Sequence, residues 1–413
     1  MNARRRPVSL LSIPPVLTPS YRALFAIEGF VRLIAGMLLA RIAAQMVGLV
    51  LVLLVLERYG SPTLAGVATF LSLAPGLLVS PIAGTLLDRY GRRRLIVLDY
   101  VFALAGLLLI AALAIANALP VPVLLIIVAV QSLTFPLSTV GQRTLFPLVV
   151  PRPLWPRANA IDSNGYALSG VIGPALAGSV VAAFHGEGGL IAAAAMFGLA
   201  AAVTATAPDP RVDASTHGSV VRAAWDGVVH VVRHPTLRGI AVGVSVSNVG
   251  NGILFITIPV VVLGRLGGDS VLVGQLFALM GGVAFVAVML AGRLRIEGRE
   301  RTYMVGAVLG GALATSLLLV RLDLAVLIVA IIVRAVAEAF YDVPMFTLRQ
   351  RRTDPAWLGR AFAVSMSLNF IGYPVGSAIG GSLNAVSAEL ALAVALVAWL
   401  LGAAAMWVML PRE

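Results

Sequence analysis

The sequence predicts an all-α integral membrane protein, with twelve transmembrane helices in two pseudo-symmetric six-helix halves around a central cavity. Three observations carry that prediction. Sixty per cent of the 413 residues are apolar and 12% are charged, against about 45–50% and about 25% in a soluble domain. The apolar residues fall into twelve runs, each near the ~20 residues that cross a bilayer. One offset of 208 residues relates positions in the second and fourth runs to positions in the eighth and tenth.

The first run, about Gly29 to Leu56, follows Arg4, Arg5 and Arg6. It far exceeds the 7–15 residue apolar core of a signal peptide and so reads as a retained span. Further runs follow at about 62–87, 95–116, 121–142, 159–184 and 188–207. A polar segment at 208–236 separates these from runs at 237–263, 271–292, 302–320, 324–348, 360–384 and 387–409. The expected organisation is therefore a half over residues 1–207, a linker over 208–236 and a half over 237–413. Within the linker, Val220 to Val232 mixes apolar residues with Arg222, Trp225 and Asp226 and predicts an amphipathic helix on the membrane surface.

The arginines orient these spans. All 30 basic residues are arginine, and the net charge is +12. Loops on the side of the N-terminus carry 24 of them, whereas the opposite loops carry only Arg58, Arg265 and Arg321. A bias of that size puts both termini in the cytoplasm, in a multi-pass protein of the inner membrane. The charge is then accounted for by topology and anionic lipid headgroups, not by nucleic acid. The offset of 208 carries Gly66 to Gly274, Gly84 to Gly292, Pro136 to Pro344 and Gln142-Arg143 to Gln350-Arg351. A duplication in one orientation places a two-fold axis along the membrane normal, with a substrate cavity between the halves.

Enzymatic chemistry finds no foothold. Without cysteine there are no disulfides, thiolate metal sites or thiol nucleophiles. Without lysine there is no phosphate-cradling loop of the Gly-x-x-x-x-Gly-Lys type. His185, His217, His230 and His234 lie in loops or the linker and do not form a metal pattern. No cofactor and no metal are expected.

The densest charge lies in Gly84-Thr-Leu-Leu-Asp88-Arg89-Tyr-Gly91-Arg92-Arg93-Arg94, between the second and third runs. Gly84 would let its helix approach a neighbour, Gly91 would permit a tight turn, and Asp88 could accept from a helix N-terminus or pair with the arginines. Together with twelve runs in two halves, this stretch resembles the major facilitator superfamily, whose pattern Gly-x-x-x-Asp-Arg-x-Gly-Arg-Arg it matches at every position. The fifth run carries Gly170-Val-Ile-Gly173-Pro174-Ala-Leu-Ala-Gly178, similar to that superfamily's exporter-associated Gly-Pro motif, with Ala177 replacing one glycine. Phe135-Pro136 leading into Gln142-Arg143, Arg233-His234-Pro235 and Gly359-Arg360 resemble the drug–proton antiporter branch that includes macrolide-efflux proteins and a siderophore exporter. The resemblance spans nearly the whole chain. It departs in two places: the fourth run lacks the basic residue of many proton antiporters, with Gln131 the nearest polar group, and the repeat of the charged loop, Gly292 to Glu297, is degraded. The resemblance implies that Asp88 holds the halves together while the outside is open, and that the fifth-run motif favours export.

Charges within spans are costly and point to mechanism. The first run carries Arg41 and Gln45, the seventh Asn248 and Asn251, and the tenth Arg334, Glu338 and Asp342 at successive helical turns. Arg334 and Glu338 read either as a structural pair or as a proton-coupling site, with Asp342 a further candidate. Arg41 reads as a ligand for an anionic substrate group or as a counterion for Glu338. Asp99 and Asp162 read as partners of the inner-loop arginines. Gln131, Phe340, Tyr341 and Phe370 complete the cavity candidates, with Phe277 and Tyr373 adding aromatic surface. A large, mainly apolar cavity suits amphiphilic molecules. The expected function is alternating-access, proton-coupled efflux of amphiphilic small molecules or drugs by a monomer whose partners are its substrate, protons and lipid. A nutrient importer or facilitator, or a non-transporting sensor, is the alternative.

Overall fold

In the computed structural model of the chain, residues 20–209, 220–291, 298–352 and 367–410 are described. Arg4 to Arg6, linker residues 210–219, the degraded loop Gly292 to Glu297 and Gly359-Arg360 lie outside them. Among the described residues all regular structure is helical. A lipid-facing backbone has to satisfy its own hydrogen bonds, and a helix does so within one segment.

After a short α1 (Tyr21–Phe25) come α2 (Phe30–Tyr59), α3 (Pro62–Tyr90), α4 (Arg92–Ile115), α5 (Val121–Val149) and α6 (Trp155–Ala205). Then follow α7 (Val220–Arg233), α8 (Pro235–Gly264), α9 (Ser270–Ala291), α10 (Glu300–Val320), α11 (Leu324–Arg352), α12 (Gly372–Asn384) and α13 (Ala388–Met409). Among the described residues ten segments are long and apolar enough to cross a membrane. The longest, Arg152–Ala205, has 54 residues, about twice a single span. It is two spans joined without a loop: Phe184 and His185 leave helical geometry, His185 at φ 58°. Glu57 of α2 secures that joint, accepting from the Gly186 N–H at 3.1 Å and contacting the His185 ring. The described architecture fits twelve spans, with α12 contributing the visible part of the eleventh.

Short connections are set by caps. Ser61, Asp269, Asp323 and Ser387 accept from backbone N–H groups three residues on, at 3.2, 2.9, 2.9 and 3.0 Å. Gly91, at φ 91°, turns the chain between α3 and α4 with no intervening loop.

Helices α2 to α6 pack on one another, and α8 to α13 do likewise. The principal contacts between these groups are α3 with α12 and α6 with α9. They repeat one contact. A Cβ on Gly66 would fall 2.3 Å from the Ser377 carbonyl oxygen and 2.9 Å from the Gly381 Cα; one on Gly274 would fall 2.5 Å from the Pro174 oxygen and 2.9 Å from the Gly178 Cα. Both contacts lie at the ends of α3 and α9 where those helices begin, remote from the Gly84–Arg94 stretch. The two groups are therefore closed on each other at that end, backbone against backbone, as small residues permit between membrane helices.

Candidate functional site

Helix α8 supplies a polar step in an apolar wall. Asn248 and Asn251 are three residues apart, so one turn joins them: Asn251 Nδ2 donates to Asn248 Oδ1 at 3.0 Å. Asn248 Nδ2 in turn donates to the Asn369 carbonyl at 2.9 Å. Arg334 of α11 reaches across to this pair. Its Nε donates to Asn251 Oδ1 at 3.0 Å, its Nη2 contacts the same oxygen, and its Nη1 points to the Met280 sulfur on α9. Glu338 Oε2 stands 3.2 Å from Arg334 Nη2. The two charges differ in enclosure: the Arg334 side chain is 14% exposed and that of Glu338 is 46%. Three helices grip the cation while its carboxylate faces outward from them.

Asp342 follows one turn on from Glu338, and Tyr341 beside it has a buried hydroxyl with no described partner. Buried Arg349 lies further along α11. Phe340 is half-buried, and Phe370 exposes half its surface. Toward the closed end, Phe255 of α8 packs against Phe277 of α9 at 5.4 Å and Tyr373 of α12 at 5.7 Å between ring centroids. A Cβ on Gly48 of α2 would lie 3.9 Å from the Phe255 ring, so this aromatic group sits where α2 meets α8.

In α2 to α6 the polar centre is built differently. Arg41 donates through Nη2 to Asp162 Oδ1 at 2.6 Å and through Nη1 to the Asp162 carbonyl at 3.1 Å. Its guanidinium also stacks on Tyr166, 3.7 Å above the ring. Arg143 of α5 donates to the same Tyr166 hydroxyl at 3.4 Å. The expectation that Arg41 serves Glu338 is corrected, because its partner is Asp162. Asp162, expected to balance an inner-loop arginine, is that partner. Gln45 presses on the Gly-Pro motif of α6: a Cβ at Gly173 would meet Gln45 Cβ at 2.5 Å, and one at Gly170 would lie 3.7 Å from Gln45 Nε2.

Two further expectations are corrected. Gln131 donates to the Ala103 carbonyl at 3.1 Å and lies over Gly106, so its amide joins α5 to α4 and leaves the cavity-lining set. Asp99, expected beside an arginine, is buried at 4% exposure with the hydroxyls of Thr134 and Ser138 within reach.

At the Gly84–Arg94 stretch the Asp88 side chain lies outside the described atoms, and no described atom would stand within 4 Å of a Cβ on Gly84. The close approach expected at Gly84 is thus absent among the described residues. Asp209, just beyond α6, takes the position at the start of α4. Its Oδ1 accepts from the Arg93 N–H at 3.4 Å, and its Oδ2 lies 3.8 Å from Arg93 Nε. Arg93 also donates to the Ala207 carbonyl at 2.8 Å, and Arg92 to Thr144 of α5 at 3.2 Å. Arg89 lies over Tyr90, 5.4 Å from its ring. On α10 and α11 the related corner pairs fully buried Glu300 with Arg351 at 2.6 Å.

Asp209, Asn369 and Glu300 were not signalled by any motif, although Glu300 and Arg351 lie 208 residues after Arg92 and Arg143. Of the groups outside the spans, Asp323 is held below the usual carboxylate range, first by the Val326 N–H. His234 is held below the usual histidine value, first by burial and then by His230 and Arg352.

Residues 33–297 match the Major Facilitator Superfamily. The chain is 39% identical over 368 residues to an uncharacterised MFS-type transporter, y4rN, of Sinorhizobium fredii, covering 88% of this chain and 90% of that one. It is 22% identical over 355 residues to macrolide efflux protein A of Streptococcus pyogenes, covering 83% and 86% respectively. The nucleoside transporter NupG has the same fold, with a TM-score of 0.73 over 92% of this chain and 99% of that one at 11% identity. The chain belongs to the Major Facilitator Superfamily of membrane transporters.

Proposed function

We propose that this transporter works by alternating access between the halves 1–207 and 237–413, exporting amphiphilic small molecules across the inner membrane in exchange for protons. The observation that carries the reading is the unequal enclosure of Arg334 and Glu338. Arg334 is fixed by Asn251 and Met280, so protonating the half-exposed Glu338 leaves an uncompensated cation tied to α8 and α9. That charge imbalance acts on three helices at once, which is a way to couple a proton to their rearrangement. Phe340, Tyr341 and Phe370 offer apolar surface for the cargo nearby. The similarity to a macrolide efflux protein supports outward transport of such molecules.

In this conformation the glycine contacts close the end remote from Gly84–Arg94, so the cavity opens toward the cytoplasm if the arginine-rich loops are cytoplasmic. Asp88, Arg89, Arg92 and Arg93, with Gly84 and Gly91, would close the opposite end in the alternate state. Gly170, Gly173, Pro174 and Gly178 of α6 would steady the closed end through Gln45 and α9.

The test uses everted membrane vesicles and a radiolabelled macrolide. An imposed pH gradient should drive its accumulation, and Glu338→Gln should cut the gradient-driven part by about tenfold or more, equivalent to a coupling of at least ~1.4 kcal/mol. Accumulation indifferent to the gradient, or a fully active Glu338→Gln variant, sinks the reading. Uptake into intact cells instead of vesicles would favour a nutrient importer.

A further inference from the structure

The chain builds one corner twice and completes it once. Helices α4 and α10 begin 208 residues apart, at Arg92 and Glu300, so Arg93 and Arg301 are each the second residue of their helix. The opening N–H groups of a helix have no carbonyl partner within it and favour an anion. At α4 that anion is Asp209, whose Oδ1 accepts from the Arg93 N–H at 3.4 Å and whose Oδ2 lies 3.8 Å from Arg93 Nε. One carboxylate holds the helix start and its guanidinium together.

At α10 no described carboxylate takes that place. Glu300, one residue earlier, pairs with Arg351 of α11 at 2.6 Å, and Arg299 at the cap makes no side-chain bond to the first turn. Arg301 instead lays its guanidinium over the Trp407 ring of α13, 4.0 Å from the centroid. It is 8% exposed, and among the described residues no atom accepts a hydrogen bond from its side chain. Of its three nitrogens only Nε is sealed from solvent, so the terminal pair reaches the surface. An enclosed cation with unfilled donors, beside an uncapped helix start, lacks the anion that its counterpart has.

Trp407 indicates where that anion comes from. It is 53% exposed and stands two residues before the end of α13, itself a span. An indole at the end of a span lies at the level of the lipid headgroups. Arg299 is exposed beside it, and basic groups clustered at that level attract anionic lipid.

We propose that the start of α10 and the end of α13 form a binding site for the phosphate of an anionic phospholipid, drawn from the leaflet on the side of the arginine-rich loops. Its oxygens accept from the terminal nitrogens of Arg301 and from the first-turn N–H groups of α10, the place Asp209 takes at α4. The bound lipid ties α10 to α13. The site needs neither cargo nor proton, so it stands apart from the function proposed above.

The test titrates the purified full chain in neutral detergent with dioleoylphosphatidylglycerol, dioleoylphosphatidylcholine or inorganic phosphate, reading bound lipid by native mass spectrometry and stability by thermal unfolding. The wild-type chain should hold phosphatidylglycerol about tenfold more tightly than Arg301→Gln does, with phosphatidylcholine held alike by both. Trp407→Glu, which brings a carboxylate to Arg301 from α13, should weaken phosphatidylglycerol to the same extent. Equal phosphatidylglycerol binding by the wild-type and Arg301→Gln chains overturns the proposal. So does a parallel loss of phosphatidylcholine, since the anionic headgroup would then not be what is read. Inorganic phosphate that stabilises the wild-type chain but not Arg301→Gln, with no preference for phosphatidylglycerol, overturns the lipid as occupant. Should Arg301→Gln fail to fold, Trp407→Glu decides, and wild-type phosphatidylglycerol binding by that variant overturns the site.

Discussion

The two groups of helices make the same crossing with different chemistry. Arg41 reaches the Asp162 carbonyl at 3.1 Å, and Asn248 reaches the Asn369 carbonyl at 2.9 Å, each contact closing 121 residues of chain. The second pair stands 207 residues after the first, as Arg265 does after Arg58. In both places a side chain on the first helix of its group caps a carbonyl on the fifth, so the crossing itself does not require charge. What α2 to α6 add is the Asp162 carboxylate. What α8 to α13 do instead is place their cation and carboxylate, Arg334 and Glu338, on α11. Symmetry of packing thus coexists with asymmetry of charge.

The largest effect should come from breaking the charged version. Arg41→Asn leaves Asp162 with an uncompensated carboxylate and should cost about 3 kcal/mol. Adding Asp162→Asn makes the crossing resemble Asn248–Asn369 and should restore most of that loss, a coupling visible in a double-mutant cycle of thermal unfolding. A double variant no more stable than Arg41→Asn would show that the two crossings are not equivalent.

The glycine contacts sharpen the comparison at intermediate cost. Gly66→Ala and Gly274→Ala each force a methyl to within 2.3 and 2.5 Å of a carbonyl oxygen on the opposite group. Each should lose about 1–3 kcal/mol by overpacking. Equal losses support a repeated contact; a loss at only one position breaks the symmetry.

The smallest differences lie at the helix ends. Arg58 donates to the Ala114 carbonyl at 3.0 Å and to Asn117 at 3.2 Å, and lies 3.4 Å from Glu187, with 19% and 21% of the ion pair's side chains exposed. Arg265 meets Glu389 with both side chains 53% exposed. Arg58→Ala should therefore cost about 1 kcal/mol and Arg265→Ala less than ~0.5 kcal/mol, by thermal unfolding of the purified chain. The reverse order would show that the outer ends are not held as their exposure indicates.

Much of the architecture was legible along the chain. Apolar runs of span length, arginines on alternate loops, and the Gly84–Arg93 pattern are local properties, and each survives whatever the neighbouring helices do. The residues of the candidate site were legible as types but not as partners. Asp99 and Asp162 had sequence-near explanations in the inner-loop arginines, Arg41 a distant one in the substrate or Glu338, and Gln131 a place in the cavity; the structure sets each against another helix instead. The rotation of a helix about its axis decides which neighbour a side chain meets, and that rotation is set by packing against several helices together. The single offset of 208 also hid the matching pairs at 207. One extra residue in Gly267–Asp269, the counterpart of Gly60–Ser61, shifts the register from 207 to 208 between α8 and α9.

By itself the sequence determined an all-helical membrane protein, a repeat in its residue pattern and the family's charged motif, because hydrophobic length, charge placement and a contiguous motif need no tertiary contact to be read. Only the tertiary structure decided that Arg41 belongs to Asp162, that Asp209 stands at the start of α4, that the glycines of α3, α6, α9 and α12 meet backbone to backbone, and that Asp99 lies against the Thr134 and Ser138 hydroxyls of α5. Those are contacts between helices far apart in the chain, where a rotation of one residue's angle exchanges one partner for another.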